Sequence, residues 1–240
     1  DEDEIAVLEM GISDFGEMTR LAKIAKPDTC VITNIGTCHL ENLGDRDGVL
    51  KAKTEIFKYV KKNIVLNGDD DKLSTVKEYN GIQPVFFGNG ENASVTCENV
   101  ESRGLKGMSC DICLKGKMAE NGEFQKFHVE IPMPGRHMVS NALAAAAIGR
   151  LYGLNAEQIK NGIESLEPVS GRFNMIETDK FMIVDDCYNA NPMSMKASLD
   201  VLQDGLGRRV AILGDMGELG TDEVALHEGC LLYTSDAADE

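Results

Sequence analysis

The sequence predicts an α/β protein: a mostly parallel sheet flanked by helices, continued by an antiparallel β meander and followed by the start of a Rossmann-like domain. Three observations lead to this prediction. Short apolar runs alternate with segments of helical period over residues 5–87, as in sheets whose parallel strands are buried on both faces. Residues 93–131 then alternate between apolar and polar side chains, which is typical of antiparallel strands. After residue 171, strand and helix patterns alternate again.

The predicted parallel part contains buried strands at 5–8, 29–35, 63–66 and 84–87. Each is a short apolar run that ends in polar or turn residues, the pattern of a strand covered on both faces. Helical spacing of apolar residues predicts helices between them, at 17–25, 49–60 and 73–79. This alternation implies right-handed crossovers, which keep the neighbouring strands parallel.

The predicted meander follows, with half-exposed strands at 93–101, 108–115 and 123–131. An alanine-rich run at 139–152 predicts a helix that ends at Gly153. Asn155 is expected to cap a second helix that continues through residue 166. These two helices complete the first predicted domain.

Residues 167–171 are interpreted as a hinge, which divides the chain into a domain at 1–170 and the beginning of a second domain at 171–229. The predicted elements of the second domain are a strand at 181–184, a helix at 192–202 and a strand at 210–213. Its sheet would have few strands and an open edge. We therefore expect residues 181–229 to be the less stable part of the protein.

The two ends of the chain differ from the rest. Residues 230–240, CLLYTSDAADE, continue neither the period nor the composition of the helical segment before them. They resemble the translation of a sequencing-library adaptor, so we expect a non-native tail and leave it out of the fold prediction. The chain begins with Asp1 and runs at once into a predicted strand, so we expect its natural start to lie upstream.

Composition limits the classes of function. The formal net charge of -16 argues against nucleic acid or an anionic membrane as a partner. The seven cysteines are scattered and odd in number, which suits reduced thiols in the cytoplasm. No apolar run reaches the length of a membrane-spanning helix. We expect a cytoplasmic, monomeric protein.

Lys53 is unusual for its position. A helix register through Val49, Ile56 and Val60 forms an apolar stripe, and Lys53 falls on that stripe. Its side chain can pack its stem and extend its ammonium group to water. Alternatively, the lysine is held in a binding site. Helix geometry alone leaves both interpretations open.

Polar residues follow several of the predicted strands. Glu9 follows the first strand, Asn34 and nearby His39 follow the second, and Asp185 follows the strand at 181–184. Ligands bind to open α/β sheets at the carboxyl ends of their strands. A carboxylate and an imidazole that converge there can hold Mg²⁺ or Mn²⁺, although surface and helix-capping roles are the alternative for each residue.

Several motifs together resemble the Mur ligases, ATP-dependent enzymes that form amide bonds in peptidoglycan precursors. The resemblance extends over residues 5–229 and rests on these stretches: LEMGISDFGEM, ITNIGTCHLENLG, GVLKAKTEIF, PGRHMVSNALAAAAIG, SGRFNMI, VDDCYNANPMSM and GDMGELG. It implies a central ATP-binding domain, the cofactors ATP and Mg²⁺, and the substrates UDP-MurNAc-tripeptide and D-Ala-D-Ala, joined through an acyl phosphate. A related ligase that adds glutamate to folate, or an inactive fragment, is the alternative.

The resemblance also implies roles for the residues near the first strands. Lys53 matches the lysine that family members carbamylate with CO₂, a reaction that turns its cation into an anion. Glu9 and His39 match ligands of the second Mg²⁺, beside that carbamate. Asn34 is expected in the same pocket, next to the metal or the phosphate. Lys53 and His39 are therefore the expected catalytic residues.

Further residues match the nucleotide-binding positions of the family. Asn141 corresponds to the asparagine that hydrogen-bonds adenine, and Arg172 to the arginine that reaches the ATP phosphates. Asp185 is expected to contact the ribose, and Tyr188 to pack on the nucleotide. Residues that border the incoming dipeptide are expected to be Asn189 and Asn191.

The chain departs from the family pattern in two places. Met138 stands where relatives usually carry Asn, which removes one hydrogen bond on the nucleotide side. No GxxxxGK[ST] loop occurs in the chain, although the family needs one for the β- and γ-phosphates. We expect that loop, and the domain that binds the UDP-sugar, to precede Asp1. The chain alone is then expected to be inactive, with weak nucleotide binding at most.

Overall fold

A six-stranded mixed sheet organises the first part of the chain in the computed structural model, which describes residues 3–169 and 171–236. Its strands lie in chain order: β1 (Thr29–Ile32), β2 (Asn63–Asn67), β3 (Val85–Phe87), β4 (Ala93–Ser102), β5 (Met108–Leu114) and β6 (Gln125–Ile131). β1 to β4 run parallel, and β5 and β6 are antiparallel to their neighbours. The predicted fold class is confirmed, and the meander continues the parallel sheet.

Helices cover both faces of this sheet. The α-helices of the first part are α1 (Glu17–Ala25), α2 (Leu40–Leu43), α3 (Arg46–Thr54), α4 (Arg136–Leu151) and α5 (Ala156–Glu164). Neighbouring residues of a strand point to opposite faces. Val65 accordingly belongs to the cluster that α4 and α5 cover, whereas Ile64 and Leu66 belong to the cluster that α1 to α3 cover. The sheet therefore lies between two cores.

The predicted helix start at Asn155 is confirmed in detail. The Asn155 side chain accepts a hydrogen bond from the Gln158 backbone at 2.9 Å, and the Gln158 side chain accepts one from the Asn155 backbone at 3.0 Å. This reciprocal capping satisfies two of the backbone N–H groups that a helix start leaves free.

The predicted strand at 5–8 is wrong. The segment has no regular secondary structure and pairs with no strand of the described residues, and Val7 and Leu8 are exposed. An apolar run becomes a strand only through hydrogen bonds to a neighbouring strand. The predicted helix at 73–79 is also reduced, to the 3-10 turn Leu73–Thr75. A tight turn with positive φ at Asn80 and Gly81 follows it and redirects the chain.

The part of the chain after the hinge is smaller. β7 (Asn174–Glu177) and β8 (Met182–Asp185) form an antiparallel pair, followed by α6 (Pro192–Leu202) and α7 (Glu223–Asp236). The predicted strand at 210–213 is wrong, because these residues pair with no described strand and Ile212 is 96% exposed. The strand at 181–184 and the helix at 192–202 are confirmed.

The predicted non-native tail and the predicted hinge each include residues that the structure does not describe. α7 continues to Asp236, so the first residues of the expected non-native segment are helical, and Cys230 is buried. Residues 237–240, Ser170 in the hinge, and the first two residues lie outside the described residues. None of the helices described here is both long and apolar enough to cross a membrane.

Candidate active site

The loops after β1 and β2 are joined at the carboxyl edge of the sheet. The Asn67 side chain donates to the Thr33 carbonyl oxygen at 2.9 Å. The Asp70 carboxylate accepts a hydrogen bond from the Ile35 amide at 2.7 Å. These bonds hold the loop that carries Asn34 and His39 against the loop after β2, at the edge where α/β sheets bind ligands.

Asp70 is the main polar residue of this edge, although sequence reasoning gave it no role. Its side chain is only 7% exposed. Besides the Ile35 amide, it accepts hydrogen bonds from the Lys72 and Leu73 amides, both at 3.0 Å. A buried carboxylate needs such partners, and here they fix the relative positions of two loops.

Lys53 points toward this edge from α3. Its ammonium nitrogen donates to the Asn34 carbonyl oxygen at 2.9 Å, and the side chain is half-buried. Burial lowers the pKa of Lys53, while the nearby Cys38 and Asp70 act in the opposite direction. The side chain therefore contacts the loop after β1, and the interpretation as a lysine held in a site is favoured over one that extends to water.

Arg46 fixes the same loop from the first turn of α3. Its Nε donates to the Ile35 carbonyl oxygen at 2.9 Å, and Nη1 donates to Asp71 at 3.0 Å. Nη2 makes a second, short contact with Asp71. The Asp71 hydrogen bond raises the pKa of Arg46, and the same bond lowers the pKa of Asp71. A bidentate pair of this kind gives directional support to the loop.

His39 lies at the start of α2, in the left-handed region with φ 58°. Its Nδ1 is in close contact with a carboxylate oxygen of Glu218, a residue of the second part of the chain, but the contact lacks the alignment of a hydrogen bond. Glu9, the other predicted metal ligand, is exposed within the unpaired segment. No hydrogen bond or ion pair among the described residues joins Glu9 to His39 or Lys53, so its role stays a prediction.

The loop after β1 fits a bound polar group. Thr37 Oγ1 is buried and has no hydrogen-bond partner among the described residues, and His39 Nδ1 has only its unaligned contact with Glu218. Buried polar atoms are rarely left unpaired in folded proteins. The donor types present, imidazole and carboxylate oxygen, are those that bind divalent metals. In the part of the chain that the structure describes, however, no three His, Cys, Asp or Glu side chains cluster as a metal site.

Asn141 lies on the exposed side of α4, near its start. Its amide nitrogen lies 3.6 Å from the sulfur of Met138, one turn earlier. Ser140, its neighbour, has its hydroxyl 3.5 Å from the side-chain amide of Asn67. The first turns of α4 therefore adjoin the end of β2, on the same edge of the sheet as Lys53.

Arg172 and Tyr188 lie together after the hinge. The Arg172 guanidinium is 4.2 Å from the centre of the Tyr188 ring, a cation–π contact. The Tyr188 amide donates to the Gly171 carbonyl oxygen at 3.1 Å. Both side chains are exposed, so the stacked pair presents a flat cationic surface to solvent.

Asp186, the residue after the predicted Asp185, holds this region together. Its carboxylate accepts hydrogen bonds from the Phe173 amide at 3.1 Å and from the Ser198 hydroxyl of α6. Asp185 ends β8 and its carboxylate interacts with the Cys187 thiol, which raises the pKa of that thiol. Because Asp185 and Asp186 are adjacent and identical, the sequence alone contains no signal that distinguishes their roles.

The two predicted substrate-binding asparagines have local partners. Asn191 caps α6, because its side-chain oxygen accepts from the Ser194 amide at 3.0 Å. The side-chain oxygen of Asn189 lies 2.9 Å from the Ala190 amide. Both residues stand beside the start of α6, and their contact with a substrate stays a prediction.

The second part of the chain contacts the loop after β1 at more than one point. Besides the contact between Glu218 and His39, the sulfur of Met193 in α6 lies 3.3 Å from where a Cβ on Gly36 would be. At the carboxyl end of β4, the Ser102 hydroxyl donates to Asp204 at 2.8 Å. These contacts bring α6 and the segment that carries Glu218 next to the loop after β1.

Comparison with known proteins gives matches to two families. The family described as Mur ligase middle domain matches residues 1–149, and the one described as Mur ligase, glutamate ligase domain, matches residues 171–240. A UDP-N-acetylmuramoyl-tripeptide–D-alanyl-D-alanine ligase of Bacillus subtilis is 38% identical over 95% of this chain and 48% of its own length. The chain thus spans about half the length of the curated relatives it matches.

Two solved structures are similar throughout the described fold. MurF from Acinetobacter baumannii superposes with a TM-score of 0.85 at 31% identity, covering 97% of this chain and 49% of that one. MurF from Thermotoga maritima, in complex with ADP, gives a TM-score of 0.76 at 28% identity, covering 92% and 49%.

Proposed function

The chain belongs to the Mur ligase family, whose middle domain it matches over residues 1–149 of its 240, and we propose that it is part of a UDP-N-acetylmuramoyl-tripeptide–D-alanyl-D-alanine ligase. The position of Lys53 carries this proposal: a half-buried lysine bonded to the Asn34 carbonyl oxygen at the carboxyl edge of a parallel sheet. The similarity to relatives of that name supports the choice of substrates.

The proposed reaction has two steps. A carboxylate oxygen of UDP-MurNAc-tripeptide attacks the γ-phosphorus of ATP, and ADP leaves. The amine of D-Ala-D-Ala then attacks the acyl carbon, the bond to phosphate breaks, and the nitrogen loses a proton. Such a reaction depends on positioning and on charge compensation at the phosphates.

Lys53 would act as a carbamate. Its neutral amine adds to CO₂, which forms an N–C bond and releases one proton. The lowered pKa of Lys53, caused by burial, increases the fraction of neutral amine and so favours this addition. The residues that would hold Mg²⁺ are the carbamate of Lys53, His39 and Glu9. When bound, the metal supplies positive charge that offsets repulsion between the phosphates and the carboxylate.

The nucleotide side would be formed by residues from both parts of the chain. Asn141 would hydrogen-bond the adenine, and Asp185 the ribose. The exposed guanidinium of Arg172, stacked on Tyr188 at 4.2 Å, would face the phosphates, because a planar guanidinium suits bidentate binding of phosphate oxygens. Asn34 would complete the pocket near Lys53, and residues proposed to border the dipeptide are Asn189 and Asn191.

Closure of the second part over the first would exclude water from the acyl phosphate. The contacts of Met193 and Glu218 with the loop after β1 support this proposal, because they bring α6 and the GDMGELG segment to the carboxyl edge. A cytoplasmic location and a monomeric state remain predictions.

The test is substitution of Lys53 by Ala in the full-length protein. We expect phosphate release with UDP-MurNAc-tripeptide and D-Ala-D-Ala to fall by at least about 10²-fold, since a misplaced or missing electrostatic group in such sites has effects of that order. Lys61→Ala, an exposed lysine before β2, is the matched control. Unchanged turnover of Lys53→Ala would contradict the proposed role.

The choice of substrates needs a separate measurement. The same phosphate-release assay with a folate and glutamate distinguishes a folate-modifying ligase, for which only the second pair would be active. Calorimetry of the 240-residue chain with Mg-ATP tests the expectation of weak binding. Tight binding by the chain alone would contradict the prediction that its phosphate site is incomplete.

A further inference from the structure

Residues 214–220, GDMGELG, form a segment of the second part of the chain. This segment reaches the candidate site mainly through the contact between His39 and Glu218. His39 Nδ1 lies against the Glu218 carboxylate. An ionised carboxylate can only accept hydrogen bonds, so an imidazole nitrogen that faces it closely must be the one that carries the proton. For His39 this nitrogen is Nδ1. The ring nitrogen that remains available for another ligand is then Nε2. Metal-binding histidines commonly pair their second ring nitrogen with a carboxylate, which fixes the tautomer and the ring orientation.

Both partners of this contact have an unusual backbone. His39 has φ 58° and Glu218 has φ 60°, the left-handed region that residues other than glycine seldom adopt. Residues held in that region carry backbone strain, and such residues cluster at functional sites. In this case the two strained residues face each other across the two parts of the chain.

The segment that carries Glu218 is fixed to the rest of the second part. Met216 and Leu219, on either side of it, are buried, and Leu226 of α7 packs against the cluster that contains them. The Met216 amide donates to Nε2 of His227 at 3.0 Å, and the other ring nitrogen of His227 lies 2.9 Å from the Glu223 carbonyl oxygen. These contacts hold the segment that carries Glu218 against α7.

The segment also closely approaches the backbone of α2. A Cβ on Gly220 would lie 3.5 Å from the Glu41 amide nitrogen and 3.7 Å from the Leu40 carbonyl carbon. Gly220 has φ +71°, a conformation that L side chains rarely adopt. A side chain at this distance would be in ordinary van der Waals contact, so the positive φ, and not a lack of space, is what favours glycine here. The segment therefore lies next to the start of α2, where His39 stands.

We propose that Glu218 is a positioning residue for His39, so that placement of the second part of the chain and metal binding at His39 are coupled. The proposal rests on the proposed function, which gives His39 a metal to bind. Glu218 holds the imidazole with Nδ1 protonated and Nε2 free. The present contact is not aligned as a hydrogen bond, and such contacts often align only when the ligand is bound.

The test uses Mn²⁺ binding to the full-length protein, measured by electron paramagnetic resonance without nucleotide or substrate. Glu218→Gln keeps the size of the side chain and removes its charge. We expect the Mn²⁺ dissociation constant to rise roughly 10-fold to 100-fold, the usual effect of removing such a carboxylate partner. Glu228→Gln, an exposed acid on α7, is the matched control and should leave the constant unchanged.

A second readout separates positioning from general stability. The nitrogen of an imidazole that binds Mn²⁺ gives a spin-echo modulation, and its frequencies depend on how the ring is oriented at the metal. We expect this signal in the wild type and a shifted signal in Glu218→Gln, at equal thermal stability. Mn²⁺ binding that depends on Lys53 and His39 but is unchanged in Glu218→Gln overturns the inference and leaves the proposed function standing. If the wild type binds no Mn²⁺, both the inference and the proposed metal site are wrong.

Discussion

The two parts of the chain use similar sequence patterns with different results. Residues 63–66 and 210–213 are both short apolar runs, yet Ile64 in the first is fully buried and Ile212 in the second is 96% exposed. β2 has a partner strand on each side and a core on each face. Residues 210–213 have no partner strand in the described part. Whether an apolar run is buried therefore depends on the partner strands and helices that pack against it in the folded protein.

The cores of the two parts differ accordingly. Two extended clusters of buried side chains cover the faces of the six-stranded sheet. In the second part, the buried cluster consists of Met216, Leu219 and Cys230, and β7 and β8 pair only with each other. An isolated strand pair is marginally stable in water. The difference supports the prediction that residues 181–229 are the less stable part.

The largest expected effect is a difference in stability between two Ile→Ala variants, one in each of the two apolar runs. Ile64→Ala removes a fully buried side chain and should lower the free energy of unfolding by about 2–5 kcal/mol. Ile212→Ala removes an exposed one and should change it by no more than about 0.5 kcal/mol. Urea denaturation followed by circular dichroism measures both. Equal losses would mean that residue 212 is buried in solution and that the two parts do not differ as described.

A smaller effect is expected from Asp186, which joins the strand pair to α6. Asp186→Ala removes the acceptor of the Phe173 amide and of the Ser198 hydroxyl. We expect a loss of roughly 1–2 kcal/mol, seen as faster amide hydrogen exchange in β7 and unchanged exchange in β2. Asp185→Ala is the control. If β2 exchanged faster as well, the two parts would unfold as one unit.

The smallest effect concerns pH and the first part alone. Asn99, His128 and Lys126 form hydrogen bonds with Asp111 and lower its pKa from 3.8 to about 2. Because the folded-state pKa lies below the unfolded one, the unfolded chain binds the proton first as the pH falls. The stability from Asp111 is then complete above about pH 4 and is lost as the pH falls toward 2.

The measurement is the urea concentration at which the first part of the chain is half unfolded, determined at pH 5 and at pH 3. Asp111→Asn should reduce the difference between the two midpoints relative to the wild type. Asp179→Asn, in the exposed connection between β7 and β8, should leave that difference unchanged. A pH dependence that persists fully in Asp111→Asn would show that other carboxylates cause it.

Much of the fold could be predicted because its signals are local. Short apolar runs predicted β1 to β3, and alternating apolar and polar residues predicted β4 to β6. The capping side chain of Asn155 predicted the start of α5. The segments at 5–8 and 210–213 carried the same local signal but not the partner strands that it needs. Strand formation depends on hydrogen bonds to distant residues, which a local pattern cannot supply.

The candidate site shows the same division. The sequence by itself determined which family the motifs match and which residues, above all Lys53 and His39, are candidates for its chemistry. Only the tertiary structure decided their partners: the Asn34 carbonyl oxygen for Lys53 and the Glu218 carboxylate for His39. Asp70 received no role from the sequence because its partners lie on separate loops. Contacts between residues far apart in the chain exist only after the strands have paired and the second part has met the first.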